Sequence, residues 1–496
     1  MEPMAGIDAK FLYSETPTAH MHTIKAVVSD VSRMPEGFSF DVFVDVLSRH
    51  LKRLPQFRRR AVPVPLSLGH PVWIEDPGFD LRNHLSQRRV AAPGSDRELA
   101  TVIAGFAAVP LRRDRPLWEI VVVEGLANDR VAVIAKIHHA LADGTAAVAM
   151  LQNVVRGVNE VDDPGPDDWS PEPLPTRGQL VWDALGRHGR RLRSLPELVA
   201  RSARGTRASE ARRRSAPVRP PLPLQTPRTS LNVSLSPDRT FAMTSLPLDA
   251  LKQVRRAQGS TLNDVYLAVC AGALRRYLAE HGELPARSLV ASVPVSIDPN
   301  DARLSGNRVD NLYVTIGTDI ADPLARLRHC HEVMGTAKQV RQLLGNELLE
   351  QRAEVVPPQL YRATVRAWTG THLADHVRPP INLVLSNVAG PREQIYFGPI
   401  ELEALYSVGP ILEGVGLNMT AWSYVDRLYV SALGCPASLP DPWPLVEALH
   451  GSLEELVASS ERHPVAGPSE RPATLDAAGA HPAPEPSPGQ DSLLKP

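Results

Sequence analysis

The stretch from Lys136 to Ala146 reads KIHHALADGTA and sets His138 and His139 just ahead of Asp143 and Gly144. An imidazole, with an ordinary pKa of ~6.5, is the natural proton acceptor near neutral pH once a neighbour fixes its orientation. Gly144 with the small residues Ala140 and Ala142 permits a tight turn that returns Asp143 toward a ring. A metal site is a poorer fit, because adjacent strand residues point to opposite faces and zinc needs three or four ligands. Asp143 would supply one more, so no metal is expected. A buried, hydrogen-bonded histidine at a strand end is the plainer alternative to a catalytic base and stays open here. Parity puts His138 on the Lys136 side and His139 on the Ile137 side. Only one of them can face a reacting group, and parity does not choose which.

The elements around this stretch follow from pattern. WEIVVVEGLANDRVAVIAKIHH predicts a β-hairpin turning at Ala127 to Arg130, with the histidines at the end of its second strand. GTAAVAMLQNVVRGV predicts a helix capped by Asp143 or Thr145. Upstream, Val42, Phe43, Val46 and Leu47 share one face of a predicted helix over 40–54. Downstream, TLNDVYLAVCAGALRRYLAEHG is a strong helix, and SLVASVPVSI, NLYVTIG, INLVLSNV and DRLYVSALG are strands.

At 496 residues the chain exceeds one compact core, so two domains are expected. An acidic, proline-rich stretch (VDDPGPDDWSPEPLPTRG) and then an arginine-rich one interrupt the pattern. The expected division is therefore an N-terminal unit over 1–158, a linker over 159–230, a C-terminal unit over 231–462 and a disordered Pro/Ala-rich tail over 463–496. A formal net charge of -1 suggests no nucleic-acid partner. Cys270, Cys330 and Cys435 form no CxxC pair, which argues against a disulfide framework and a cysteine zinc site. The N-terminus carries no signal-peptide pattern and no apolar run reaches eighteen residues, so any membrane contact is expected to be peripheral.

HHALADG resembles the HHxxxDG signature of coenzyme-A-dependent acyltransferases, and other stretches point within that superfamily to the bacterial wax ester synthase/diacylglycerol acyltransferases. RPLWE (Arg115 to Glu119) is similar to the PLW motif of that group. IDAKFLYSE followed by MHT is similar to its N-terminal signature, and TLNDVYLAVCAGALRRYL to its ND helix. VPVSI, SGN (Ser305 to Asn307), SNVAGP and GVGLNMTAWSY follow in family order. The resemblance spans Ile7 to about Leu456.

That resemblance implies an α/β fold of two chloramphenicol-acetyltransferase-like domains with an active-site tunnel between them. It implies His139 as general base, with His138 beside it, and Asp143 as a chiefly structural group held by an unidentified arginine. Asn263, beside Asp264, is a candidate oxyanion donor, the alternative being that it caps its helix. Glu15 matches an acidic family position, the alternative being a surface glutamate. Trp118 and Pro116 are expected to pack. Asn387 belongs to the SNVAGP motif, and Gly390 and Pro391 are expected to form a turn needed for close approach.

The implied activity moves a long-chain acyl group from acyl-CoA, a substrate rather than a cofactor, to diacylglycerol and to fatty alcohols. A condensation-type acyltransferase fed by a carrier protein, and a catalytically silent lipid-binding paralogue, are the competing expectations. Between Arg187 and Arg219 arginines flank Leu192, Leu195, Leu198 and Val199. Such a segment can lie on an anionic lipid surface, so a cytoplasmic protein peripherally attached to the membrane or to lipid droplets is expected, a solvated connector being the alternative.

Overall fold

A computed structural model describes residues 1–32, 34, 37–157, 167, 169–171, 173–215, 221, 226–296, 303–344, 354 and 356–463. The tail beyond 463 and parts of the linker expected over 159–230 lie outside these residues. Strands and helices are numbered in chain order. A seven-stranded sheet runs β5 (Leu85–Arg89), β6 (Trp118–Leu126), β7 (Arg130–His138), β2 (His22–Asp30), β14 (Ile400–Val408), β13 (Ile395–Phe397), β8 (Arg156–Gly157). A six-stranded sheet runs β11 (Val309–Thr315), β10 (Val290–Ser296), β12 (Leu383–Ala389), β15 (Asn418–Tyr424), β16 (Arg427–Gly434), β9 (Thr240–Pro247). Three short strands, β1 (Glu2–Pro3), β4 (Val72–Glu75) and β3 (Arg59–Val62), form a third sheet. The helices are α1 (Gly6–Ser14), α2 (Phe40–His50), α3 (Asp96–Ala108), α4 (Gly144–Val154), α5 (Arg177–Ser215), α6 (Leu248–Gln258), α7 (Leu262–Glu280), α8 (Pro323–Leu344), α9 (Pro358–Gly370) and α10 (Trp443–Arg462).

The β6–β7 hairpin turns where its sequence requires. Asn128 and Asp129 both take positive φ (61° and 51°), the pair a primed turn needs to match strand twist. The helix expected over 40–54 ends earlier: α2 stops at His50 and the chain continues in 3₁₀ turns, because Pro55 forbids a further helical turn.

Two features depart from the sequence division. Strands β13 and β14 lie in the span assigned to the C-terminal unit, yet β14 pairs antiparallel with β2 from Ile24↔Val408 to Asp30↔Glu401 and so completes the first sheet. Strand β2 is flanked by β7 and β14, and no local spacing could announce a partner nearly 400 residues away. The first core accordingly continues into the second sheet through Phe241, Met243, Trp422, Tyr424 and Tyr429. Within the expected linker, α5 is a 39-residue helix whose Leu180 and Ala184 are buried against Val64, Val72 and Ile74. Farther along α5, Ser209 Oγ donates to the Val340 carbonyl of α8 (3.2 Å). The side chains of Leu192 and Leu195 lie outside the described residues; Leu198 is buried and Val199 exposed.

The second core gathers around α7, which is buried nearly all round from Asp264 to Leu278 against α6, α8 and α10. Cys270, Cys330 and Cys435 are buried free thiols. No helix among the described residues is long and apolar enough to cross a membrane.

Candidate active site

Strand β7 carries two opposed faces to one end of the first sheet. On one side Lys136 is wholly buried, its Nζ donating to the Phe106 and Val109 carbonyls at the end of α3 (3.2 and 2.9 Å). His138 lies on this side and is also wholly buried. Its Nδ1 accepts from the Ala140 amide (3.0 Å), so Nε2 carries the proton and donates to Glu15 Oε1 (3.0 Å). Both ring nitrogens of His138 are thus committed. Burial raises Glu15, but the His138 hydrogen bond, the Arg113 charge and the Met21 amide outweigh it and hold its carboxyl down at about 2.

The other face of β7 carries Val133, Ala135 and Ile137, which floor an apolar cavity of about 150 Å³ beneath α2 and α4. His139 follows the strand end on this side, its amide donating to the Met21 carbonyl (2.8 Å). Its ring is half-buried and stacks on Phe11 of α1 at 4.1 Å and 11°.

Asn307 fixes this ring. The Asn307 amide nitrogen donates to the His139 carbonyl, which can only accept, and to Asp8 Oδ1, both at 2.7 Å. Its amide oxygen is therefore the atom 2.9 Å from His139 Nδ1, and the imidazole carries its proton there. That leaves Nε2 as a lone-pair nitrogen. Burial pushes His139 down to about 4, against the opposing charge of Asp143, so the ring is neutral at pH 7. Burial raises the Asp8 carboxyl to about 7 against the Asn307 hydrogen bond.

Asp143 shapes the turn. Its Oδ1 accepts from the Ala146 amide (2.9 Å), capping α4, and its Oδ2 accepts from the Arg308 amide (2.8 Å) and the Arg303 guanidinium (2.5 Å). Asp143 thus works as a helix cap and a tie to the segment before β11, with Arg303 as its arginine. Gly306, in the same segment, donates to the Leu141 carbonyl (2.7 Å) at φ +80°, with Asp8 only 3.4 Å from where a Cβ would sit.

The remaining sequence candidates are distributed more widely. Gly144 and Asn387 line a second cavity of about 490 Å³, between α4 and strands β10 to β12 of the second sheet. A Cβ on Gly390 would stand 2.2 Å from the Ser423 carbonyl oxygen, which makes the position a backbone close approach. Trp118 is fully buried between Phe57 (4.4 Å) and His84 (4.3 Å), its indole N–H donating to the Phe57 carbonyl.

Asn263 does not cap its helix, as one alternative had it. Thr261 does, closing a capping box with Asp264, and the TLND spacing is the signature of that box. Asp264 is buried and accepts from His331 of α8 (2.8 Å). The amide that reaches His139 is Asn307, not Asn263. Sequence reasoning missed Asp8, Phe11, Arg303 and the ring contact of Asn307, although Asp8 and Asn307 lie inside quoted motifs.

Two family descriptions divide the chain between them. The wax ester synthase/diacylglycerol acyltransferase catalytic domain matches residues 4–266 and the C-terminal domain of the same family matches 305–457. The chain belongs to the wax ester synthase/diacylglycerol acyltransferase family. It is therefore an acyltransferase. A Mycobacterium tuberculosis protein provisionally named a diacylglycerol O-acyltransferase is 41% identical over 444 residues, 89% of this chain and 93% of its own. A second from the same organism, named alike, is 36% identical over 477 residues, 94% and 92% of the two chains. The solved wax ester synthase/diacylglycerol acyltransferase of Marinobacter aquaeolei VT8 superposes with a TM-score of 0.65 at 28% identity, covering 93% of this chain and all of that one. The starter condensation domain of rhizomide synthetase shares the fold alone (TM-score 0.54, 15% identity, 93% and 94% covered).

Proposed function

We propose that this acyltransferase moves a long-chain acyl group from acyl-CoA to diacylglycerol, and to fatty alcohols, with His139 Nε2 as general base. The single observation that carries the reading is the Asp8–Asn307–His139 chain of hydrogen bonds, which supports a neutral imidazole with its lone pair on Nε2. The hydroxyl proton passes to Nε2 as the oxygen attacks the thioester carbonyl. The tetrahedral intermediate collapses, the C–S bond breaks, and the imidazolium protonates the leaving thiolate. Holding both substrates in line supplies the proximity, so no acyl-enzyme is required. The apolar cavity on the His139 face suits an alkyl chain, and the larger inter-domain cavity suits a second substrate. No cofactor takes part in this scheme.

The test offers palmitoyl-CoA with dioleoylglycerol or with hexadecanol to the purified protein and follows thiol release and ester together. Ester with dioleoylglycerol, and less with hexadecanol, is expected. Thiol release without ester from either alcohol would overturn the acceptor assignment.

Peripheral attachment to the inner membrane face or to lipid droplets belongs to the same reading. Trp182, Leu185 and Val199 of α5 are 79%, 50% and 64% exposed among its arginines, which supports shallow insertion. Because α5 is also packed into the fold, the test substitutes Trp182→Ser and Leu185→Ser rather than deleting the segment. The pair should reduce flotation with anionic liposomes; unchanged flotation would contradict the attachment site.

A further inference from the structure

Helix α1 reaches both histidines. Asp8, Phe11 and Glu15 follow at i, i+3 and i+7, a spacing that sets them along one face of the helix and its C-terminal end. Glu15 accepts from His138 (3.0 Å), Asp8 accepts from Asn307 (2.7 Å), and Phe11 lies flat on the His139 ring, centroid to centroid 4.1 Å at 11°. Among the described residues that is the closest and most nearly parallel aromatic pair, the other histidine pairs standing at 18° to 45°. The helix is itself fixed from several sides. The Tyr13 hydroxyl hydrogen-bonds His70 Nδ1 (2.9 Å), and Ser14 Oγ the Tyr361 hydroxyl of α9 (2.9 Å), while the Arg362 guanidinium of α9 covers the Tyr13 ring (4.7 Å).

An imidazole side chain has a bearing and a tilt to fix. The bond from Nδ1 to the Asn307 amide oxygen sets the bearing of that nitrogen, but a single hydrogen bond leaves the tilt of the ring free. A stacked neighbour 11° from parallel sets the tilt. Together they place the Nε2 lone pair, which lies in the ring plane. An aliphatic side chain would fill the space beside His139 without choosing a plane. The phenyl face has a second consequence, because its negative π surface attracts the positive charge that the ring acquires when Nε2 takes a proton. It also keeps water off one side of the ring. The charges that bear on His139 are Asp143, which caps α4 and is tied to Arg303, and Lys25 of β2, while Asp8 stands behind Asn307.

We propose that Phe11 is the positioning residue that sets the plane of the His139 imidazole and stabilises the imidazolium formed during acyl transfer, an inference that rests on His139 being the base. The phenyl ring takes no proton and forms no bond. With the imidazole held, Nε2 accepts the hydroxyl proton along one direction as the C–O bond forms, and gives it to the thiolate as the C–S bond breaks. Burial, which holds His139 down at about 4, depends in part on this cover, so the ring stays an unprotonated base into mildly acid solution.

The test compares full-length wild type, Phe11→Leu, Phe11→Ser, Phe11→Tyr and His139→Ala with palmitoyl-CoA and an acceptor that wild type esterifies, between about pH 4 and 8. Phe11→Leu keeps an apolar cover and loses the plane. Its kcat should fall on the order of 10–10²-fold, with the KM for acyl-CoA within about threefold and the acid limb of kcat/KM still near 4. Phe11→Ser admits water, so the same loss should come with an acid limb raised toward the ordinary 6.5. Phe11→Tyr restores the stacked ring and should recover kcat to within about threefold of wild type. Thermal melts show that each variant is folded at the assay temperature, which separates lost chemistry from lost folding. Wild-type kcat in Phe11→Leu, a rise in KM alone, equal losses in Phe11→Leu and Phe11→Tyr, or an unmoved acid limb in Phe11→Ser would overturn the assignment. If His139→Ala is inactive while Phe11→Leu is not impaired, only the positioning is wrong; if His139→Ala turns over like wild type, the base itself is wrong.

Discussion

Substituting Asn307→Asp and Asn307→Ala separates orientation of the His139 ring from mere packing around it. Asn307 is 6% exposed and makes three hydrogen bonds, to His139 Nδ1, the His139 carbonyl and Asp8. At about 0.5–1.5 kcal/mol net for each, Asn307→Ala should lower stability by about 2–4 kcal/mol. It also frees the ring to take the tautomer with its proton on Nε2, which cannot accept one, so kcat should fall on the order of 10²-fold. Asn307→Asp acts differently. A carboxylate accepting from Nδ1–H stabilises the imidazolium and raises the His139 pKa from about 4. A close opposite charge is worth about 1–3 pKa units, so the acid limb of kcat/KM should move up by that amount. The assay is kcat/KM for palmitoyl-CoA between about pH 4 and 8, with thermal melts of each variant. A wild-type profile and kcat in Asn307→Ala would refute the claim that this amide sets the tautomer.

Arg303→Met leaves the wholly buried Asp143 carboxylate without its guanidinium, so a stability loss of about 3–5 kcal/mol is expected in a denaturant melt, and an unchanged midpoint would count against the tie. Glu15 sits at about 2 in the fold against its ordinary 4.5, so its stabilisation is present above pH 4.5 and lost as pH falls toward 2. Glu15→Gln should therefore cost up to about 3 kcal/mol at neutral pH, shrinking in acid, and a pH-independent difference would contradict the His138–Glu15 pairing. Gly390→Ala would drive its Cβ into the Ser423 carbonyl, so a loss of about 1–3 kcal/mol is expected; a neutral melt would show that the chain leaving the β12–β15 pair can yield.

The sequence pattern reached the local parts of this site. The β6–β7 hairpin, the placing of the histidines at its end and the Asp143 cap of α4 all follow from short-range alternation and turn chemistry. Parity put the two histidines on opposite faces, but only the Glu15 and Ala140 contacts of the wholly buried His138 reveal which of the two rings is committed. Long-range partners were illegible. Asn307 and Arg303 reach His139 and Asp143 across at least 160 residues, and β14 arrives from still farther to complete the sheet. One local signal was passed over: Thr261 and Asp264 spell a capping box, which removes any need for Asn263 as a cap.

His139→Ala, assayed with acyl-CoA and diacylglycerol beside wild type, tests the central claim most directly. Loss of ester formation on the order of 10²–10⁴-fold in a folded protein is predicted. Turnover equal to wild type would mean that the proton leaves the hydroxyl by another route.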